Sequence, residues 1–339
     1  MQGMYFVDNG DNYDASLNIA LETYLVENRL IDEPILLFYI NAPSIIIGRN
    51  QNTIEEVNQP YVEEKGIQVV RRMSGGGAVY HDLGNFSFCF IKDDDGTFRD
   101  FASVTKPVVE ALHKMGATQA ELQGRNDLLI DGKKFSGNAM YAKDGRMTAH
   151  GTIMFNSDID EITNALRPNK AKIESKGIKS VRSRVTNIRP YVDEKYKDLS
   201  IEAFRDLVLL EIFGVEKRED VKEYHLTEAD WEKVHQIREE RFGNWDWNYG
   251  KSPAFDIQKS HKFPFGLVDF RFDVAKGMVT SAKIYGDFFG LGDIKDVEDH
   301  LVGIKYDRES FTKALEKVDI NRYFGNVTAE ELINLLFND

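Results

Sequence analysis

Directly after Asp14, hydrophobic side chains recur at helical spacing through Leu17, Ala20, Leu21, Tyr24 and Leu25. The spacing predicts a helix, and the Asp14 carboxylate can cap its first turn. Two short β-rich runs follow, residues 35–40 and 45–48, with a turn around Asn41 to Pro43 between them. Residues 68–73 predict a strand that runs into three consecutive glycines, Gly75, Gly76 and Gly77. Over residues 85–91 the chain alternates, with Phe86, Phe88 and Phe90 on one face and Ser87 and Cys89 on the other. Residues 101–115 predict a helix closed by Gly116.

The middle of the chain predicts hairpins. Residues 127–130 turn through Asp131-Gly132 into 133–141, and Lys143-Asp144-Gly145 turns again into 147–155. Helices are expected over 158–166, 201–213 and 228–241, the last opening with a Thr227/Asp230 capping box. All periodicity then breaks at Trp245-Asp246-Trp247-Asn248-Tyr249-Gly250, and Pro253 follows. A boundary here separates a domain over 1–248 from a smaller one over 254–339. In the smaller one Val268, Phe270, Phe272 and Val274 share a face, and a turn at Lys276-Gly277 leads to a second strand near 278–285. Helices near 294–304, 308–318 and 329–336 complete it. The fold class is α+β, in two unequal domains.

Composition narrows the function. The net charge is −13, which gives no general attraction for nucleic acid. One stretch reverses this sign: between Lys170 and Arg189, seven basic residues stand against Glu174 alone. No apolar run approaches the roughly 18 residues of a membrane span, and no basic, apolar leader opens the chain. With Cys89 as the single cysteine, no internal disulfide can form. A cytoplasmic protein without a membrane segment is expected.

The densest chemical signal is Arg71-Arg72-Met73-Ser74-Gly75-Gly76-Gly77-Ala78-Val79-Tyr80-His81-Asp82. Glycines after a strand let backbone N–H groups approach an anion, and flanking arginines add charge-assisted bonds. A tight hairpin with charged neighbours would read the same way, and the spacing is not that of a P-loop. Gly124-Arg125-Asn126-Asp127 precedes the hairpin bearing Lys133 and Lys134. Strand alternation sends those two lysines to opposite faces, and spacing alone does not choose between them. His81 and His150 are possible bases, yet neither sits in a metal-ligand pattern. Cys89 lies within an aromatic strand, where a buried inert thiol is the commoner outcome than a nucleophile.

Taken in order, residues 71–82, 124–128, 134–137, 150–152, 176–187 and the joining segment 245–255 resemble the lipoate–protein ligase family, in its two-domain bacterial form. The resemblance implies a catalytic domain like that of biotin ligases, a mixed or antiparallel sheet flanked by helices, with a small α+β C-terminal domain. It implies ATP-dependent activation of lipoate to lipoyl-AMP with pyrophosphate release, then transfer of the lipoyl group to an acceptor lysine. Acceptors would be lipoyl-domain proteins, the E2 subunits of 2-oxoacid dehydrogenases or the glycine-cleavage H protein. By the same resemblance Lys134 is catalytic and contacts both lipoate and phosphate. Arg72, Gly77, Ala78, Val79, Tyr80 and Asn126 bind ATP with it. Gly75, Gly76, His150 and Gly151 bind lipoate, and Asp127 is placed near Mg²⁺. Lys179, Arg182 and Arg184 belong to an adenylate-binding loop. Two complete domains do not require a partner, so a monomer is expected.

Two rivals remain at this stage. An octanoyltransferase of the same fold would take its acyl group from a carrier protein without ATP, with Cys89 as its only thiol. A non-catalytic lipoate- or carrier-binding protein would keep the fold but show broken site residues, whereas Arg72, Lys134 and the glycines are intact.

Overall fold

The computed structural model describes residues 3–166, 184–250 and 256–338. The larger unit holds strands β1 (Tyr5–Val7), β2 (Ile35–Tyr39), β3 (Ser44–Ile47), β4 (Gln68–Arg71) and β5 (Val79–His81). To these it adds β6 (Asn85–Asp93), β7 (Glu121–Gln123), β8 (Asp127–Ile130), β9 (Lys133–Lys143) and β10 (Arg146–Met154). Seven of them form one sheet in the order β1-β2-β6-β10-β9-β8-β7, parallel only between β1 and β2. A second, three-stranded sheet runs β4-β3-β5.

The alternation in β6 fixes which side of the large sheet each helix covers. Phe86, Phe88 and Phe90 enter a core shared with helices Phe101–Lys114 and Ile201–Phe213. Phe155 stacks on Phe204 there, with centroids 4.2 Å apart. Cys89 and Ile91 face the opposite side, against helix Ala15–Glu27. Each fully buried phenylalanine contributes about 1.5–3 kcal/mol by removal from water, so this strand anchors both layers. Helix Ala15–Glu27 is covered all round and capped by Asp14, whose side chain accepts from Ser16 N–H.

The C-terminal unit is an antiparallel sheet of β11 (Ile257–Phe263), β12 (Gly266–Ala275) and β13 (Met278–Gly286). Helices Lys295–Leu301, Arg308–Glu316, Ile320–Phe324 and Ala329–Phe337 complete it. Its core is separate, built on Val268, Phe270, Phe272, Phe311 and Phe324. Strand β11 escapes a sequence pattern because Gln258, Lys259, Ser260, His261 and Lys262 give it no apolar face. Strands β1, β5 and β7 have only three residues each, too short to show a period.

Residues 245–250 are a correction. Rather than breaking structure, Trp245–Asn248 form a helical turn docked on β4, where Trp247 Nε1–H donates to Arg71 O at 2.8 Å. Asn248 Oδ1 accepts from Arg71 N–H at 2.9 Å. The preceding helix ends at Ile237 and widens into a π turn over Arg238–Phe242, short of the expected regular run to 241.

The two units touch closely. Arg271 makes a two-pronged pair with Glu55, each contact 2.8 Å, and Gly286 N–H donates to Asn50 O at 2.8 Å. Arg99 donates to Phe289 O at 3.0 and 2.8 Å. Gly75 explains the closeness: a Cβ there would lie 2.1 Å from Phe288 O.

Candidate functional site

The seam between the units encloses a cavity of about 390 Å³, within the range of small-molecule sites. Its walls bring together Arg72, Gly77, Ala78, Val79, Asn126, Asp127, Lys134, His150 and Gly151, residues spread over 80 positions of sequence. Four of the described singled-out residues lie elsewhere. Gly75 and Gly76 face Phe288 and Phe289 of the C-terminal unit, and Tyr80 packs with Tyr61 on the core beneath the small sheet. Arg184 is exposed and not on the cavity wall, whereas Lys179 and Arg182 lie outside the described residues.

Glycine is required where walls approach. A Cβ on Gly151 would lie 2.0 Å from Asn138 Oδ1 and 2.5 Å from the Phe88 ring.

Arg72 holds the glycine loop in shape. Its Nε–H donates to Ser74 Oγ at 2.9 Å, Nη1 to Ile46 O at 3.2 Å, and Nη2 to Gly75 O and Gly77 O at 2.7 and 2.9 Å. Of five guanidinium N–H donors, four are therefore committed to the protein. Burial lowers its pKa to about 10, still charged near neutrality. The chain continues from Ser74 Oγ to His150 Nε2 at 2.9 Å, and from His150 Nδ1 to Glu22 Oε1 at 2.6 Å. Thr148 and Tyr39 hydroxyls also donate to Glu22, at 2.8 and 3.2 Å. Burial pulls the Glu22 pKa upward, but His150, Thr148 and Tyr39 together outweigh it and hold it below its ordinary value. With both nitrogens engaged, His150 is placed to orient the loop rather than to shuttle a proton.

Three buried polar atoms on the cavity wall lack a partner among the described residues: His81 Nε2, Arg125 Nη1 and Asn138 Oδ1. Orphaned buried groups are costly, about 1–3 kcal/mol each, and mark places built for a polar ligand. The His81 tautomer follows from its neighbours. Asn18 Nδ2 donates to Asn12 O and to Asn41 Oδ1, each at 2.9 Å. The Asn41 amide nitrogen therefore turns to His81 Nδ1, 3.0 Å away, which leaves the ring hydrogen on the orphaned Nε2. Burial, with Arg72 and His150 nearby, lowers the His81 pKa to about 3.

That shift sets a pH dependence. The unfolded imidazole protonates below about 6.5 while the folded one stays neutral to about 3. His81 thus contributes stability present above pH 6.5 and lost progressively as pH falls from 6.5 towards 3. Chemical denaturation across this window should show a shallower loss in His81→Gln than in the parent. Equal slopes would mean that His81 charges in the folded protein.

Lys134 and Asp127 face each other on β9 and β8, Nζ to Oδ1 at 2.9 Å, both partly exposed to the cavity. The ladder shifts register between Leu128 and Leu129, leaving Phe135 as an extra residue beside Lys134. Such bulges re-aim side chains next to sites. Lys133, one residue before, does not reach the cavity wall. Lys134 O also accepts from Thr186 N–H at 2.9 Å, tying down the end of the basic stretch.

The described residues contain no group of three or more His, Cys, Asp or Glu side chains that could cage a metal. Magnesium bound with a nucleotide needs only one or two carboxylates, with phosphates and water completing its shell. Asp127, a carboxylate on the cavity wall, is of the type that requirement asks for.

Sequence reasoning overlooked Glu22, Asn138, Lys262 and Asp287, and it named Ser74 and Arg125 within motifs without giving either a role. Glu22 is the one charged residue inside helix Ala15–Glu27 before its last position, which was a usable sign. The C-terminal residues carried no such sign, because only docking brings them to the cavity.

The model of the lipoyl protein ligase A/B catalytic domain matches residues 14–213, and that of the bacterial lipoate protein ligase C-terminus matches residues 252–336. The lipoate-protein ligase LplJ of Bacillus subtilis is 52% identical over 98% of this chain and 100% of its own length. The crystal structure of Plasmodium falciparum LipL1 in complex with lipoate superposes with a TM-score of 0.78 at 27% identity, covering 98% of this chain and 97% of that one. A lipoate-protein ligase A bound with ATP superposes at 0.56 with 25% identity, over 73% of this chain and 98% of that one.

Proposed function

This chain belongs to the lipoate–protein ligase family, and we propose that its interdomain cavity carries both steps of the reaction on Lys134. A carboxylate is a poor electrophile. In the first step the lipoate carboxylate attacks the α-phosphorus of ATP, the bond to the β-phosphate oxygen breaks, and pyrophosphate leaves. In the second, the amine of an acceptor lysine attacks the acyl carbon of lipoyl-AMP, and AMP leaves with the bonding electrons.

Lys134 Nζ, a compact cation at the cavity wall, counters the charge that builds on the α-phosphate. Its position there, beside orphaned donors, is the observation that carries the reading. The Gly77–Val79 backbone offers close approach to the nucleotide, and Asn126 and Asp127 stand on the same wall. Magnesium held by Asp127 would neutralise phosphate charge when bound. The division at 248/254 separates a unit that binds both substrates from one that closes over them. The acceptors are lipoyl-domain proteins, E2 subunits or the H protein.

The carrier-dependent alternative needs Cys89 as a nucleophile. Cys89 is fully buried, and burial with Glu22 nearby raises its thiol pKa well above the ordinary value. That is the environment of an inert thiol.

The test is the mass of an unmodified lipoyl domain after incubation with this protein and lipoate, with and without ATP and Mg²⁺. A lipoyl-sized gain that requires ATP is expected. Acyl gain from an octanoylated carrier without ATP, and none from free lipoate, would replace this reading with the transferase.

A further inference from the structure

Lys262 stands near the end of β11, just before the turn Phe263-Pro264-Phe265-Gly266 of the C-terminal unit. It lines the same cavity as Lys134, yet it is exposed and has no acidic partner within ion-pair distance among the described residues. The other cations of the cavity are engaged: Arg72 with loop carbonyls, Lys134 with Asp127. Arg125 is engaged on one side only. Its guanidinium lies 4.7 Å over the Phe289 ring and 4.0 Å from Asp287, while Nη1 remains buried and orphaned. Gly266 lets this happen, since a Cβ there would lie 2.7 Å from Arg125 Nη1.

An uncommitted ammonium from one unit and an unpartnered guanidinium N–H from the other thus meet one cavity at the seam. Both are pure donors, so the group that fits them is an anion rich in acceptors. Resting on the function proposed above, we infer that Lys262 and Arg125 form the subsite for the pyrophosphate leaving group. When the α-phosphorus accepts the lipoate oxygen, the electron pair of the breaking P–O bond passes to pyrophosphate. Lys262 meets that added charge only while the C-terminal unit sits over the cavity. The first step thereby depends on closure, and the second, in which no pyrophosphate leaves, does not.

The experiment compares lipoate-dependent exchange of labelled pyrophosphate into ATP with transfer from synthetic lipoyl-AMP to a lipoyl domain, in the full-length chain. Lys262→Glu should slow exchange by about a hundredfold, the lower end of the scale for losing one transition-state donor. Inhibition of the first step by added pyrophosphate should weaken in parallel, and transfer from lipoyl-AMP should stay within about twofold. Lys262→Arg should restore most of the exchange. Lys259→Glu, the same charge change on the same strand away from the cavity, should behave as the parent. Equal loss in both steps, or unchanged pyrophosphate inhibition in Lys262→Glu, would overturn the subsite. A parent protein silent in exchange would remove the ligase reading itself, and this inference with it.

Discussion

Lys134→Ala is expected to lower lipoate adenylation by about two to three orders of magnitude, the scale seen when one transition-state donor is removed. Fold stability should hardly change. The side chain is partly exposed, and its one strong contact is a solvent-accessible pair with Asp127, a class of interaction worth little to folding. Lys133→Ala, which alters no cavity wall, should leave adenylation within about threefold. The measurement is the initial rate of lipoate-dependent pyrophosphate release under saturating ATP. A loss below threefold in Lys134→Ala, together with severe impairment in Lys133→Ala, would reverse the assignment.

Arg72→Met should fail differently, losing stability and activity together. The side chain is buried and supplies four hydrogen bonds, to Ser74 Oγ and to the carbonyls of Ile46, Gly75 and Gly77. Removing it strands three carbonyls and frees the glycine loop, at a cost of about 2–4 kcal/mol. Adenylation should fall at least a hundredfold, roughly, because the loop also carries Gly77 to Val79 into the cavity. Arg72→Lys should recover little, since an ammonium cannot reproduce a planar fork. Denaturant unfolding combined with pyrophosphate release distinguishes the cases. An Arg72→Met protein of parental stability but low activity would show that the guanidinium serves nucleotide more than loop.

The local pattern of the chain was enough for its principal elements. Asp14 and the apolar positions after it determine helix Ala15–Glu27, and the alternating phenylalanines determine both faces of β6. Turn chemistry at Asp131-Gly132 and Lys143-Asp144-Gly145 determines the hairpins that carry Lys134 and His150. These are short-range properties, set by neighbours within a few residues. So is the glycine block after β4, whose composition suits an anion site and a tight hairpin alike.

What local pattern could not decide are relations between distant segments. Lys133 and Lys134 are equivalent as sequence, and a bulge in pairing with β8 separates them. Trp245 to Asn248 looked like a break because their partners, Arg71 and the end of β4, lie more than 170 positions away. Glu22 becomes part of a site only when β10 brings His150 within 2.6 Å. Lys262 and Asp287 enter the cavity through docking of a unit whose own core needs neither. Sequence alone determined the principal elements and which residue types cluster along the chain. The tertiary structure decided which of those residues share a cavity and which donors remain free there, because burial and pairing depend on contacts that no local pattern encodes.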